Sequence, residues 1–118
     1  MAGKLSTHIL DTYSGCPAAG VGWALEYKPL GGEWSQLCTG ETNKDGRNEG
    51  PLLVDGALKT GSYRLIFQVG DYFKLLGVEL PNPAFLDEVI LQVHLIAGES
   101  YHVPQLVSPW SYSTYRGS

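Results

Sequence analysis

The sequence lacks any run of basic residues. Eight Lys and Arg stand against twelve Asp and Glu, which gives a formal net charge of -4 at pH 7. Proteins that bind nucleic acid cluster Lys and Arg to neutralise phosphates and release counterions. This balance therefore argues against nucleic acid as a partner.

The sequence also lacks long apolar stretches and a leader pattern. Its apolar runs fall far short of the ~20 residues that cross a bilayer, and residues 1–5 do not show the charged-then-apolar order of a signal peptide. The last three residues are Arg-Gly-Ser, which differ from the Ser-Lys-Leu peroxisomal address. We therefore expect no membrane partner and a cytoplasmic location, with the peroxisome as the alternative in a eukaryote.

Cysteine and histidine are scarce. Cys16 and Cys38 form a lone pair without a secretion signal, so we expect two free thiols rather than a disulfide framework. His8, His94 and His102 lie far apart, with no HxxxH or CxxC spacing. GxSxG, P-loop and dinucleotide fingerprints are missing as well. The sequence predicts neither a metal site nor a cofactor.

What the sequence does contain is short β-type runs separated by turns. Of 118 residues, 43% are hydrophobic, and 15 Gly and 7 Pro punctuate the chain at short intervals. This length suits one compact core, so we expect a single domain over residues 1–118. The pattern predicts an all-β, two-sheet Greek-key sandwich of seven to eight strands. The expected strands cover residues 5–11, 21–27, 34–39, 51–54, 63–69, 89–96, 101–107 and 110–115. One short helix is expected over 71–76, with Asp71 as its N-cap and Gly77 as its stop.

Strand parity separates two histidines from the predicted core. On the first strand, the side chain of His8 points to the opposite face from those of Leu5 and Ile9. On the strand over 101–107, the side chain of His102 points to the opposite face from those of Tyr101 and Val103. A neutral imidazole on such a face can accept a proton near pH 7. On parity alone, however, an outward histidine is ordinarily a solvated surface residue.

Arg47 and His94 are weaker candidates. Arg47 follows an Asp-Gly turn and could hold a planar anion with its forked donors, although an Arg beside a turn is ordinarily solvated. His94 shares a face with Gln92 and Ile96 and is expected to have a structural or surface role.

Several ordered motifs together resemble one family, the transthyretin-related proteins that hydrolyse 5-hydroxyisourate. They are LSTHILDT at 5–12, GCPA at 15–18, TNKDGR at 42–47, YHVP at 101–104 and SYSTYRGS at 111–118. The resemblance covers essentially the whole chain. The Tyr-Arg-Gly-Ser ending distinguishes the hydrolases from the hormone-carrying transthyretins.

The resemblance implies an eight-stranded sandwich with a short helix, assembled as a homotetramer whose central channel holds the active sites. It implies hydrolysis of the small molecule 5-hydroxyisourate to 2-oxo-4-hydroxy-4-carboxy-5-ureidoimidazoline in urate degradation, with no metal and no covalent intermediate. The implied catalytic residues are His8, Arg47, His102 and Ser118. The implied substrate-binding residues are His8, Arg47, Tyr115, Arg116 and Gly117.

The chain departs from the family pattern at two positions. Ser100 stands where members often carry a His, and Gln105 where a Leu is common. By parity the Gln105 amide points into the core, where an unpaired amide costs roughly 1–3 kcal/mol. His94 is a conceivable polar neighbour for it.

Two other functions stay open at this point. One is a transthyretin-like carrier of a small aromatic ligand in the same channel, and the other is an immunoglobulin-like interaction module. Polar, proton-transferring side chains at His8, Arg47 and His102 do not suit the apolar lining that a carrier needs.

Overall fold

The computed structural model describes residues 3–117. Its strands and helix follow one another as β1 (Lys4–Asp11), β2 (Cys16–Pro17), β3 (Gly22–Lys28), β4 (Ser35–Glu41), β5 (Leu53–Val54), β6 (Gly61–Gln68), α1 (Val69–Leu75), β7 (Glu88–Leu95), β8 (Tyr101–Val107) and β9 (Tyr112–Thr114). A single 3₁₀ turn, Asp55–Ala57, follows β5. Within the described residues, no helix is long and apolar enough to cross a membrane.

Two sheets are packed face to face. The first sheet runs in the order β2-β1-β8-β9, with β5 paired to the start of β1, and the second runs β4-β3-β6-β7. β1 and β8 are parallel. The other pairings in both sheets are antiparallel. The predicted all-β sandwich with one short helix is confirmed.

Period-two patterning builds the core between the sheets. Buried and half-buried residues alternate along all of β6, so that Tyr63, Leu65 and Phe67 point inward. Leu5 and Ile9 of β1 face them from the first sheet and belong to the same buried cluster. Alternate side chains of a strand lie on opposite faces, so the residues on the outer face of β1 do not belong to this core.

The helix begins earlier than predicted. α1 starts at Val69, and its N-cap position, Gln68, makes no side-chain capping bond within residues 3–117, so the expectation that Asp71 caps the helix is wrong. Tertiary contacts explain the difference: Val69 is fully buried, and the Gly70 amide donates to the Asp87 carbonyl over 2.9 Å. These contacts turn the chain before Asp71, which lies in the first turn.

A buried polar contact fixes α1 to the end of β1. The Tyr72 hydroxyl donates to the Asp11 carboxylate over 2.8 Å, and the Ser14 amide donates to the same carboxylate over 2.8 Å. Asp11 is fully buried. Two donors therefore compensate a carboxylate that has lost its hydration.

Several strand limits also differ from the predicted ones. β6 ends at Gln68 instead of residue 69, because Val69 enters the helix. β9 covers three residues where 110–115 was predicted, and the two-residue strand β2 was not predicted at all. β2 exists because Leu10 and Asp11 pair with Pro17 and Cys16, a contact that local sequence does not signal.

Candidate functional site

The parallel pairing of β1 with β8 brings two histidines to one face of the first sheet. The register sets Ser6 beside His102 and His8 beside Pro104. Tyr101 and Val103, on the other side of β8, are buried in the core. Both histidines are half-buried on the outer face. Their predicted direction is therefore confirmed, and the two imidazoles occupy diagonal positions on adjacent strands.

A tight turn brings Arg47 to the same place. The Asn43 side-chain oxygen accepts hydrogen bonds from the amides of Asp45 (2.9 Å) and Arg47 (3.2 Å). The Ile9 amide donates to the Gly46 carbonyl over 2.9 Å, which ties the turn to β1 next to His8. Such side-chain to backbone bonds are how Asn shapes a turn.

Only glycine fits at the centre of this turn. Gly46 has a φ of +73°, in the left-handed region that favours glycine. A Cβ on Gly46 would collide with the Ile9 carbonyl oxygen and crowd the Ala18 amide nitrogen at 3.2 Å. The close approach of turn and strand thus depends on the missing side chain.

The electrostatics of the site favour the neutral form of both imidazoles. Burial, then the positive charge of Arg47, lowers the pKa of His102 below its usual 6.5. Burial, Arg47 and His102 lower the pKa of His8, and Asp45 opposes this through a hydrogen bond and its charge. Neutral imidazoles can take up a proton, and a guanidinium beside them can stabilise a developing negative charge.

Sequence reasoning missed one residue that contacts a site histidine. The Ser6 hydroxyl lies 2.8 Å from Nδ1 of His102. Ser6 is on the face of β1 that also carries His8, but the contact requires the β1–β8 register. Nothing in the local sequence reveals that register.

The C-terminal segment lies along the other side of β8. Gln105 pairs with Thr114, and three residues further the pairing resumes between His102 and Gly117. The Gly117 amide donates to the His102 carbonyl over 2.6 Å. A Cβ on Gly117 would lie 3.0 Å from Cδ2 of the imidazole, so Gly117 is directly beside the ring.

The two residues before Gly117 lie near Tyr101 and β7 and not beside the rings of the two site histidines. Arg116 bonds at 3.4 Å to the Glu99 carboxylate and to the Ser100 carbonyl, and its guanidinium lies 4.4 Å from the centre of the Tyr101 ring. Tyr115 is 60% exposed, and together with Arg116 and Tyr101 it lines a groove beside β7. The predicted role of Ser118 falls outside the described residues.

Gln105 lies where parity predicted, but the suggested neighbour is wrong. The side chain is 1% exposed, and among residues 3–117 neither its amide nitrogen nor its oxygen has a hydrogen-bond partner. His94 is exposed on β7 of the other sheet, where it pairs with Ser62. The two strands belong to different sheets, and His94 faces away from the core.

Residues 3–117 contain neither a disulfide nor a metal centre. Cys16 is exposed, Cys38 is half-buried, and both are free thiols. In the part of the chain that the structure describes, no three His, Cys, Asp or Glu side chains are grouped so that they could hold a metal ion.

Comparison with known proteins places this geometry in a family. Residues 5–117 match the model of the HIUase/transthyretin family. A protein of Ralstonia nicotianae named 5-hydroxyisourate hydrolase is 52% identical over 117 residues, covering 98% of this chain and 99% of the relative.

Two solved structures are similar over nearly the whole chain. The (S)-allantoin synthase structure superimposes with a TM-score of 0.94 at 39% identity and covers 99% of this chain, which spans only 44% of that longer protein. The 5-hydroxyisourate hydrolase of Klebsiella pneumoniae superimposes with a TM-score of 0.81 at 31% identity and covers 98% of this chain and 99% of its own.

Proposed function

The chain belongs to the HIUase/transthyretin family, and on this premise we propose that it hydrolyses 5-hydroxyisourate to 2-oxo-4-hydroxy-4-carboxy-5-ureidoimidazoline in urate degradation. One observation carries the proposal: β1, β8 and the 43–47 turn bring His8, His102 and Arg47 to one face of the first sheet. The name of the Ralstonia nicotianae relative supports the same substrate.

The reaction needs a base, an acid and a stabilised oxyanion. One imidazole of the His8 and His102 pair takes a proton from water, whose oxygen attacks the lactam carbonyl carbon of the substrate. The carbon–nitrogen bond of the ring then breaks, and the imidazolium formed in the first step gives its proton to the leaving nitrogen, which restores two neutral imidazoles. The lowered pKa values of both histidines favour their starting in the neutral state.

Arg47 has the charge that the transition state requires. Its forked donors suit the attacked carbonyl oxygen, which becomes negative as water adds. A preorganised donor of this kind contributes roughly 3–4 kcal/mol to transition-state stabilisation. The bonds from Asn43 and Ile9 to the turn hold the Arg47 backbone in place before substrate arrives.

The C-terminal segment completes the proposed site. Gly117 leaves room beside His102, and Ser118 is the remaining predicted catalytic residue. The Tyr115 phenol is predicted to orient the substrate, although in the single chain Tyr115 lines the groove beside β7. Arg116, held by Glu99 and Tyr101, fixes the direction of the segment, so its contribution to substrate binding works through the position of its neighbours.

The proposed working form is a homotetramer of one transthyretin-like domain, residues 1–118, with the outer face of the first sheet lining a channel. The end strands of the two sheets, among them β4, β7 and β9, support assembly, because unpaired strand edges favour pairing with a second copy. Native mass spectrometry should find four times the 12.8 kDa chain mass. The cytoplasm remains the predicted location.

The carrier function is the weaker candidate. An apolar ligand needs an apolar lining, whereas this face carries two imidazoles and a guanidinium.

The test is a direct assay. 5-Hydroxyisourate is generated from urate with urate oxidase, and its ultraviolet absorbance is followed with wild-type protein, with His102→Ala and with no protein. Gln92→Ala is the control, because Gln92 is exposed on β7 of the other sheet. We expect fast decay with wild type and Gln92→Ala, and decay near the protein-free rate with His102→Ala. No acceleration by folded wild-type tetramer would refute the hydrolase.

A further inference from the structure

We propose that Ser6 is a positioning residue: its hydroxyl accepts a hydrogen bond from Nδ1–H of His102, leaves Nε2 of that ring with a free lone pair, and so makes His102 the base that deprotonates water. The inference rests on the proposed hydrolysis and assigns the two histidines different roles.

The contact is built into the sheet. Ser6 and His102 are register partners on the parallel strands β1 and β8, and their side chains meet at 2.8 Å on the outer face. The next pair along locks the same register, because the buried Thr7 hydroxyl donates to the Val103 carbonyl over 2.8 Å. On the other side of β8, the Gly117 amide holds the His102 carbonyl. His102 is thus held by β1 on one side and by the C-terminal segment on the other.

The charges around the ring select the tautomer. Arg47 from the turn acts on His102 through its charge, and a guanidinium offers only donors. Since Nδ1 already faces Ser6, we expect Nε2 to carry no proton, so that it can act as a hydrogen-bond acceptor. Among the described residues, His8 on β1 and Asp45 in the turn are titratable groups close to this pair, and Lys4 lies on the same face at the start of β1. Glu99 and Arg116 are paired with each other next to Tyr101, whose side chain points to the opposite face of β8.

The first measurement is the tautomer itself. Nitrogen-15 NMR of the imidazoles at about pH 8, where neutral rings predominate, distinguishes protonated from unprotonated ring nitrogens. We expect wild-type His102 to carry its proton on Nδ1. We expect Ser6→Ala to show a mixture of tautomers and Ser6→Thr, which keeps the hydroxyl, to resemble wild type. A wild-type proton on Nε2, or a Ser6→Ala spectrum identical to wild type, overturns the proposal.

The second measurement is the kinetic split. Because the Ser6 hydroxyl faces the imidazole, Ser6→Ala should lower kcat roughly five- to tenfold with KM unchanged, and Ser6→Thr should restore most of kcat. Ser62→Ala on β6 of the other sheet is the matched control and should match wild type. Equal losses in the alanine and threonine variants would contradict a role of the hydroxyl. Absence of hydrolysis by wild type refutes the proposed function, while the spectra still decide the Ser6 contact.

Discussion

The Ile9 amide donates to the Gly46 carbonyl, so the residue after His8 holds the residue before Arg47. One backbone bond of 2.9 Å therefore joins the strand that carries a site histidine to the turn that carries the site arginine. The spacing between imidazole and guanidinium is set by main-chain atoms, which vary less than side-chain rotamers do.

Gly46→Ala should break this link. The new Cβ meets the Ile9 carbonyl oxygen, and a left-handed φ costs a non-glycine residue about 1–2 kcal/mol. Displacing Arg47 by about 1 Å is expected to lower kcat/KM roughly 100-fold. Steady-state assays and urea unfolding would measure both effects.

Gly31→Ala is the matched control for that variant. Gly31 has the same φ of +73°, but a Cβ there meets nothing within 4 Å. Gly31→Ala should lose only the stability that a left-handed φ costs a non-glycine residue, and it should keep full activity. Equal behaviour of the two variants would show that the Ile9 contact does not position Arg47.

The second prediction concerns the pKa values of the histidines. Arg47 lowers the pKa of both His8 and His102, so Arg47→Gln should raise both values in an NMR titration of the imidazole C–H signals. Lys44→Gln removes a positive charge from the same turn and should leave them nearly unchanged. A fall or no change in Arg47→Gln would contradict the assigned electrostatics.

A corresponding pH profile follows for the wild-type enzyme. A base must be neutral to act, and both pKa values lie below the usual 6.5. As the pH falls, kcat/KM should decline with a midpoint below 6.5. A decline of kcat/KM at low pH with a midpoint above 6.5 would contradict the lowered pKa values of these buried rings.

Gln105→Leu should stabilise the protein. It removes an amide that is buried without a partner among the described residues and replaces it with an apolar side chain of similar size. The free energy of unfolding should rise by about 1–3 kcal/mol, with activity unchanged because Gln105 faces the core. Gln92→Leu, at an exposed position on β7, should have little effect. Destabilisation by Gln105→Leu would mean that the amide is satisfied.

Tyr72→Phe should have the opposite effect. The phenol donates to the fully buried Asp11 carboxylate, and burial, followed by this contact with Asp11, raises the pKa of Tyr72 well above its usual range, so the donor stays protonated. Loss of the bond should cost roughly 1–3 kcal/mol of unfolding free energy, measured in urea. Tyr13→Phe, on an exposed ring packed edge-on against Phe73, is the control. Equal stability of both variants would discount the Asp11 bond.

The sequence predicted the parts of this molecule that local chemistry governs. Alternation along β1 and β8 correctly separated His8 and His102 from the core, because period two follows from the pleat itself. The start of α1 escaped prediction because Gly70 is held by Asp87, a residue 17 positions away. Arg116 and Ser6 depend in the same way on partners that only the folded sheet supplies.

The parallel pairing of β1 and β8 also governs when the site can form during synthesis. Ser6 and His102 are 96 residues apart in the chain. At the usual ribosomal rate of ~5–20 residues per second, β1 waits roughly 5–20 seconds for its parallel partner β8. A nascent chain that stops before β8 carries His8 and Arg47 but lacks His102, the second histidine of the site. Premature termination therefore yields an inert fragment with an unpaired strand edge, a target for chaperones and proteases.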